Sequence, residues 1–353
     1  MLTRRSLLLT SLATPLTMMA RDYKSRVREV TRIPGFVALW DFVKKERGGE
    51  RFDAHKAKGE KADLRLDALN YVREYWGEGR AATYADFPIR QEGPFGQAVE
   101  FRNETDPVFR PLLLVPRARL HGSGIDVKGP GRSVTLVAWV KRGTGTHAIA
   151  GIWHEGTDLK DRSTEAKRVE RGKRQYCLFA GLAAGAGASA SHISDNGGAT
   201  FDDRYARHLS VTPEKMVEGQ WSCMGLVFDN TANTVTSYLD GKATEHWVET
   251  PEKHPFYQWA ARAWARGEYR PPAEFVKIVD GKLAALRANP YWFPFDLYNP
   301  ATIEDGGPFT IGRVIHSSRG AGTTGLIGGV AVFGRPLNAV EMQTLSALNS
   351  TGR

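Results

Sequence analysis

The stretch WSCMGLVFDNTANTVTSYLDG, Trp221 to Gly241, decides the fold. Two apolar runs flank a polar turn, and the second run ends in Asp-Gly. Side chains alternate across a strand, so Trp221, Cys223, Gly225 and Val227 share one face. Ser222, Met224, Leu226 and Phe228 share the other. Both faces are mostly apolar, as in a strand packed on both sides. Asp229-Asn230-Thr231-Ala232-Asn233 supplies turn chemistry, because Asp and Asn side chains bond their own backbone and tolerate unusual φ. Val235 to Leu239 then returns antiparallel, and Asp240-Gly241 makes the next turn.

The same pattern extends in both directions. Gly35 to Phe42, GFVALWDF, reads as a first strand. GPFGQAVEF (93–101) is a turn leading into another, and PLLLVPRARL (111–120) has an apolar run bounded by prolines. SVTLVAWVKR (133–142) is the clearest central strand. HAIAGIW, RQYCLFAGL and ASASHIS follow as shorter ones, then PFTIGRV (308–314) and GLIGGVAVFGRPL (325–337). Short strands with Gly and Asn turns between them predict an all-β sandwich. No strand alternates with a long helix, which disfavours an α/β fold.

Three segments break the pattern. Residues 21–32 are charged and are expected to form a loose leader, and Glu46 to Leu69 a polar loop. Thr250 to Gly307 is rich in Pro and aromatics and reads as a long insertion, since so short a segment makes a marginal core alone. Its middle, PPAEFVKIVDGKLAALRA, is expected to hold a short helix. The chain closes with a helix: Asn338 is its N-cap, Glu341 completes a capping box, and Met342, Leu345 and Leu348 recur at helical spacing. The expected organisation is therefore a signal over 1–20, a leader over 21–32, and one sandwich over 33–353 with an insertion at 250–307.

The N-terminus, MLTRRSLLLTSLATPLTMMA, places Arg4-Arg5 before a mildly apolar run ending at Ala20. This resembles a twin-arginine export signal and points to a periplasmic or extracellular protein. The run is too short and polar for a membrane span, so no transmembrane helix is expected in the mature chain. The 353 residues carry a formal charge of +9, which weakly favours an anionic partner. The only two cysteines, Cys177 and Cys223, both lie in strand-like runs and read as buried free thiols.

SVTLVAWVKR, WSCMGLVFDN, TVTSYLDGK, PFTIGR and GLIGGVAVFGRPLNAVEMQTL occur in the order seen in laminin G-like and pentraxin-like domains, which belong to the concanavalin A-like lectin/glucanase superfamily. VALWDF and GPFGQAVEF resemble the opening segments of such domains in bacterial exported proteins. The resemblance implies a jelly-roll sandwich of two antiparallel sheets that binds on its concave sheet or at a loop-bearing rim. The chain departs from it at Gly328-Gly329, where relatives commonly carry acidic residues. Calcium needs six to eight oxygens, and only Asp229, Asn230 and Asp240 offer any near the expected position. Turn residues look the same, so no cofactor is expected, with a calcium site as the alternative.

Catalytic patterns are missing. Glucanases of this fold place carboxylates at alternate positions of one strand, and no Glu-x-Asp-x-Glu occurs here. Glu104-Thr105-Asp106 has the spacing, but Pro107 follows it. Arg162 to Arg168 faintly resembles the Arg-Glu segment of lyases, without the Gln-x-His or Tyr-rich strand. No P-loop, zinc spacing or Gly-x-Ser-x-Gly elbow appears. No catalytic residue is therefore assigned.

Candidate ligand-binding residues come from three places. His192, Asp195 and Asn196 end a strand in HISDNGG and can bond sugar hydroxyls, although Asp-Asn-Gly-Gly is also turn chemistry. Trp153 and His154 in GIWHEG would stack on a sugar if exposed, and are core if buried. Trp259 and Trp292, with Tyr257, Trp264 and Tyr291, would form a rim platform or pin the insertion to the sandwich. The run KDRSTEAKRVERGKR (160–174) is a basic patch that would meet an anionic polysaccharide or envelope polymer, or a solvated loop. It lacks the interleaved aromatics of a nucleic-acid site. The leading expectation is an exported, non-catalytic carbohydrate- or envelope-binding protein. A divergent glycosidase or lyase, and an adhesion protein without a small ligand, remain alternatives.

Overall fold

The quoted segment forms the hairpin it predicts, with strands Trp221–Asp229 and Thr234–Leu239. The Asp229 carboxylate accepts the Thr231 and Ala232 amides at 2.9 and 3.1 Å and closes the turn. Asp240 Oδ1 accepts the Cys223 amide at 2.8 Å and the Asn349 side-chain amide at 3.0 Å. Asp229 and Asp240, two of the three candidate calcium ligands, thus serve as turn acceptors. The computed structural model describes residues 14–145, 147–156, 172–181, 187–198, 208–316, 319–320 and 322–349, with side chains from residue 23 onward. The twin-arginine stretch and nearly all of the basic run 160–174 lie outside the described residues.

Two antiparallel sheets face each other. The first is ordered Tyr291–Trp292, Thr234–Leu239, Trp221–Asp229, Val134–Arg142, Gly325–Phe333, Phe36–Trp40 and His55–Lys56, with Ala98–Phe101 also joined to Gly325–Phe333 and Ile89–Arg90 joined to Ala98–Phe101. The second is ordered Leu209–Lys215, Ala188–Ile193, Lys173–Ala180, His147–His154, Phe309–Ile311, Pro111–Val115 and Asp67–Asn70. The fold is an all-β sandwich with a short C-terminal helix. Its core lies between the sheets: Met224, Leu226 and Phe228 from the quoted strand meet Tyr176, Leu178, Ile152 and Phe309. Trp40 stacks on Phe309 and donates its indole N–H to the Leu64 carbonyl at 2.8 Å.

The opposite face of the quoted strand is equally dry. Cys223 and Val227, with Trp139, Phe333 and Tyr238, pack under Met342 and Leu345 of helix Ala339–Ala347 and under Leu348 at its C-cap. Asn338 and Glu341 form the expected capping box. Gly225 and Gly329 permit this packing by having no side chain. A Cβ on Gly225 would lie 2.3 Å from the Met342 methyl, and one on Gly329 2.6 Å from the Phe95 ring. Both cysteines are buried free thiols.

Residues 21–32 correct the sequence reading. They belong to a helix, Thr14–Arg32, rather than a loose leader. Val27, Val30 and Ile33 recur every three residues and join the same outer cluster. Arg26 reaches the Pro94 and Leu348 carbonyls at 3.1 and 3.4 Å. The loop 46–69 contains two short strands, and Leu209–Lys215 is a strand the sequence did not suggest.

The insertion differs more. Its helix is Gln258–Arg266, and its expected helical middle is instead a short 3₁₀ turn, Ala273–Phe275, followed by a hairpin, Val276–Val279 with Lys282–Asn289. Asp280-Gly281, at φ of 48° and 74°, makes a two-residue turn with both φ positive, the geometry that hairpins prefer. His246–Glu249 completes a small third sheet. A buried polar network joins it to the sandwich: Asn289 Oδ1 accepts Ser210 Oγ at 2.7 Å and the Ser237 amide at 2.9 Å, and Ser237 Oγ donates to Ser191 at 2.7 Å. No helix among the described residues is long and apolar enough to cross a membrane.

Removing the Met342 side chain leaves a cavity over Gly225, so Met342→Ala is expected to cost about 2–5 kcal/mol. Gly225→Val alone displaces the Met342 tip and costs about 1–3 kcal/mol. In the Met342→Ala background the same valine fills the space, so the double mutant should be more stable than the two single costs sum to. Urea unfolding of the four proteins checks the coupling. Simple additivity would contradict this packing.

Candidate functional site at the sandwich rim

Asp195-Asn196 begins the turn after strand Ala188–Ile193, and Gly197 and Gly198 continue it at φ of 73° and 60°. A Cβ on Gly197 would come within 2.8 Å of the Tyr298 ring, so the glycine lets that ring lie on the turn. The returning end of the insertion, 294–299, is clamped there. The Tyr298 amide donates to the Ser194 carbonyl at 2.9 Å, and the Gly129 amide donates to the Leu297 carbonyl at 2.9 Å. Asn230 donates to Asp296 at 3.1 Å and accepts the Gly131 amide at 2.8 Å.

These loops enclose an open cleft of about 590 Å³, walled by Asp195, Asn196, Phe295, Asp296, Tyr298 and Asn299. Asp296 and Asn299 are exposed, and Asp195, Asn196 and Phe295 are half-buried. Amides and carboxylates there can donate to and accept from hydroxyls. The rings of Phe295 and Tyr298 supply apolar surface beside them. A concave surface of this kind, part apolar and with a few converging polar groups, suits a polyhydroxylated ligand.

Of the residues singled out from sequence, Asp195 and Asn196 lie in this cleft. Trp153, His154 and His192 do not. Trp153 and His192 belong to a buried cluster on the outer face of the second sheet, with Cys177 and Phe179, and His154 is buried apart from it, against Tyr75. Trp153 is 1% exposed and donates its indole N–H to Glu155 at 2.8 Å. It presents no ring face to solvent. His192 packs against the Trp153 and Phe179 rings, with centroids 5.4 and 4.6 Å away. His154 Nδ1 accepts the Gly156 amide at 3.1 Å, and the Tyr75 ring lies 5.3 Å off. Trp259 is buried against His208 and Tyr269, and half-buried Trp292 packs on Tyr269. Tyr257 and Tyr269 donate to the carbonyls of Leu209 and Trp292, both at 3.2 Å. Insertion aromatics therefore pin the insertion. Phe295, Asp296, Tyr298 and Asn299 were not picked out, although FPFDLYNP is part of the same aromatic run.

The buried cluster positions the cleft. Glu155 Oε2 lies 3.0 Å from His316 Nε2 and 3.5 Å from Arg174 Nη2. Burial alone would raise the Glu155 carboxyl, but Arg174 and His316 outweigh it and hold the group well below the usual carboxylate range. The fully buried Arg174 donates from Nη1 to the Gly197 carbonyl at 3.1 Å, which ties the ion pair to the rim turn. Arg174 and His316 meet Glu155 here. The Arg174 guanidinium is engaged by Glu155 and Gly197, and Glu155 is the only carboxylate in the group among the described residues. The paired carboxylates of a glycosidase are not formed there.

Burial pushes the His154 and His192 rings down to about 3 and about 4. Both are therefore neutral in the folded protein at pH 7. An unfolded histidine takes a proton near pH 6.5, so below that pH the unfolded chain binds more protons and stability falls with pH. The loss runs from about pH 6.5 down to the folded values. Between pH 7 and pH 5 the two rings together should remove on the order of 3 kcal/mol. Urea unfolding at both pH values measures it, and His192→Phe should flatten the slope. An unchanged slope in that variant would contradict a neutral buried His192.

No family model matches the chain, and no curated protein matches it. Among solved structures it is similar to domain 4 of AbnA, a GH43 extracellular arabinanase from Geobacillus stearothermophilus, in complex with arabinotriose. The identity is 12%, over 88% of this chain and 98% of that one, at a TM-score of 0.44. It is also similar to Trypanosoma rangeli sialidase, at 12% identity over 95% of this chain and 39% of that one, with a TM-score of 0.41. The binding domain of botulinum neurotoxin serotype G matches at 10% identity over 89% of this chain and 51% of that one, with a TM-score of 0.41. At these identities and TM-scores the likeness fixes no function.

Proposed function

We propose that this chain is an exported, non-catalytic carbohydrate-binding protein that holds a polysaccharide in the rim cleft. One observation carries the reading: Asn196, Asp296 and Asn299 line an open cleft of about 590 Å³ together with half-buried Phe295 and the largely buried Tyr298. Hydroxyl-binding groups beside apolar rings match the two kinds of surface a sugar presents. The open end of the cleft admits a chain rather than only a terminal unit. Within this proposal residues 1–20 are the export signal. Residues 33–353 are one laminin G-like unit, with the 250–307 insertion supplying one cleft wall. Catalysis is not part of the reading, because the buried Glu155 is held in an internal ion pair rather than aimed at a substrate.

Affinity electrophoresis and a glycan array with the protein lacking residues 1–20 test the proposal. Retention by at least one polysaccharide is expected. Asn196→Ala combined with Asn299→Ala removes two hydrogen-bonding side chains, each worth about 0.5–1.5 kcal/mol, so affinity should fall by about 5-fold to 100-fold with the melting temperature unchanged. Binding that ignores both substitutions would move the site elsewhere. A protein that binds no polysaccharide, neutral or acidic, would instead be the adhesion protein without a small ligand.

A further inference from the structure

A second rim pocket has a different chemistry. It lies beyond the other end of strand Val134–Arg142, where Thr144 and Gly145 follow the strand, whereas Gly129 and Pro130 precede it beside the cleft. Nine residues at about 3.3 Å each separate the two sites by roughly 30 Å. The pocket encloses about 390 Å³ and is lined by Arg102, Arg110, Arg313, Arg319, Glu104 and His147, with polar and glycine residues between them.

Its charges do not cancel. Arg319 is held bidentately by Glu78, both bonds at 2.9 Å, and the exposed Arg102 lies 3.5 Å from Glu100. His147 Nδ1 accepts the Thr324 amide at 2.8 Å, so the ring is neutral with its proton on Nε2 toward the Gly143 carbonyl. Among the described residues Arg110 bonds only backbone carbonyls, those of Arg319, Glu104, Asp106 and Phe109. Arg313 is the sharpest case. It is 8% exposed, its Nη1 reaches a single carbonyl, Gly320, at 3.3 Å, and its Nε has no hydrogen-bond partner. No carboxylate among the described residues forms an ion pair with it. Gly322 allows the guanidinium to lie flat on the backbone, where a Cβ would sit 2.1 Å from its central carbon. Glu104 is the one acidic wall residue, and its charge acts on Arg313 from a distance. Two guanidinium groups without carboxylate partners thus face one carboxylate.

A buried charge left uncompensated is strongly unfavourable, and a forked guanidinium donor matches an oxyanion. We infer that the Arg313–Arg110 pocket binds an oxyanion, of the kind an acidic glycan carries as a uronate carboxylate or a sulfate ester. Arg313 Nη2 supplies the donor, the unpartnered Nε beside it leaves the guanidinium charge uncompensated, the neighbouring Arg110 adds field, and Glu104 opposes the ligand and moderates affinity. This site is separate from the neutral-sugar cleft, and neither depends on the other.

Thermal unfolding with sodium sulfate, against sodium chloride at equal ionic strength, tests the inference, with trigalacturonate and a neutral trisaccharide in parallel arms. Sulfate or trigalacturonate should raise the melting temperature beyond the chloride control, and the neutral sugar should not act here. The stronger arm identifies the anion's source. Arg313→Met removes a charge that lacks a partner, so it should raise the melting temperature without anion and abolish the anion-dependent shift. Glu104→Gln keeps the pocket and removes the repulsion, so it should shift the titration midpoint several-fold lower. A lower melting temperature in Arg313→Met with the shift retained would overturn the inference. So would the absence of any anion shift in both the natural protein and Glu104→Gln. The cleft variants Asn196→Ala and Asn299→Ala should leave the anion shift intact, which separates this test from that of the cleft.

Discussion

The strand Trp221–Asp229 has no polar face, and much of the architecture follows from that. One side meets the second sheet. The other side must also be covered, and the two ends of the chain supply the cover. Helix Ala339–Ala347 lays Met342 and Leu345 on it, with Leu348 just beyond, and the N-terminal helix adds Val30. Arg26 bonds the Leu348 carbonyl, so segments 322 residues apart close over one surface. Burying each large apolar side chain contributes about 1.5–3 kcal/mol. A domain's net stability is only about 5–15 kcal/mol, so this third layer is a substantial part of the fold. It also removes the outer face of the first sheet from any binding role and leaves the loop-bearing ends available.

Position at the rim depends on charge buried behind it. Glu155 and Arg174 sit inside the protein, where either alone would be costly. Together with His316 their charges are paired, and Arg174 also donates to Gly197. The turn bearing Asp195 and Asn196 is therefore fixed from within. A cleft on loops usually lacks such support. Here the loop of the second sheet is held by an ion pair, and the opposite wall is held by backbone bonds from Ser194 and Gly129 to the 294–299 segment.

The strands were legible because their signals are local. Alternation, Asp-Asn turns and the Asn338–Glu341 capping box need no distant partner. The N-terminal helix was obscured because its charged residues outnumber the Val27, Val30 and Ile33 stripe. The segment DGKLAALRA reads as helix by intrinsic propensity, yet Lys282–Asn289 pairs with strands on both sides, and pairing outweighs propensity. Asp195 and Asn196 were legible as polar turn residues at a strand end. Their partners at 295–299 were not, because about a hundred residues separate the two walls. The tryptophans were misleading for a physical reason: a large indole is the side chain a fold gains most by burying. Trp153 and Trp259 are accordingly internal.

The two ends of the Val134–Arg142 strand now have opposite characters. One end gathers Asp195, Asp296 and amides around aromatic rings, and the other gathers arginines in excess of carboxylates. A small ligand cannot span a separation of roughly 30 Å along the sheet, and the local charges would sort any ligand in opposite directions. Uncharged hydroxylated units are favoured at the acidic end, where an anion would meet two carboxylates. Anionic units are favoured at the basic end, where Arg313 otherwise lacks a counter-charge. Two sites of this kind on one rigid sandwich would suit an extended polymer, or two different ones, better than a free monosaccharide. The net charge of +9 is consistent with such a partner but does not locate it. In the proposed reading, the sites are set by a few buried groups, Arg174 behind the cleft and Arg313 within the pocket.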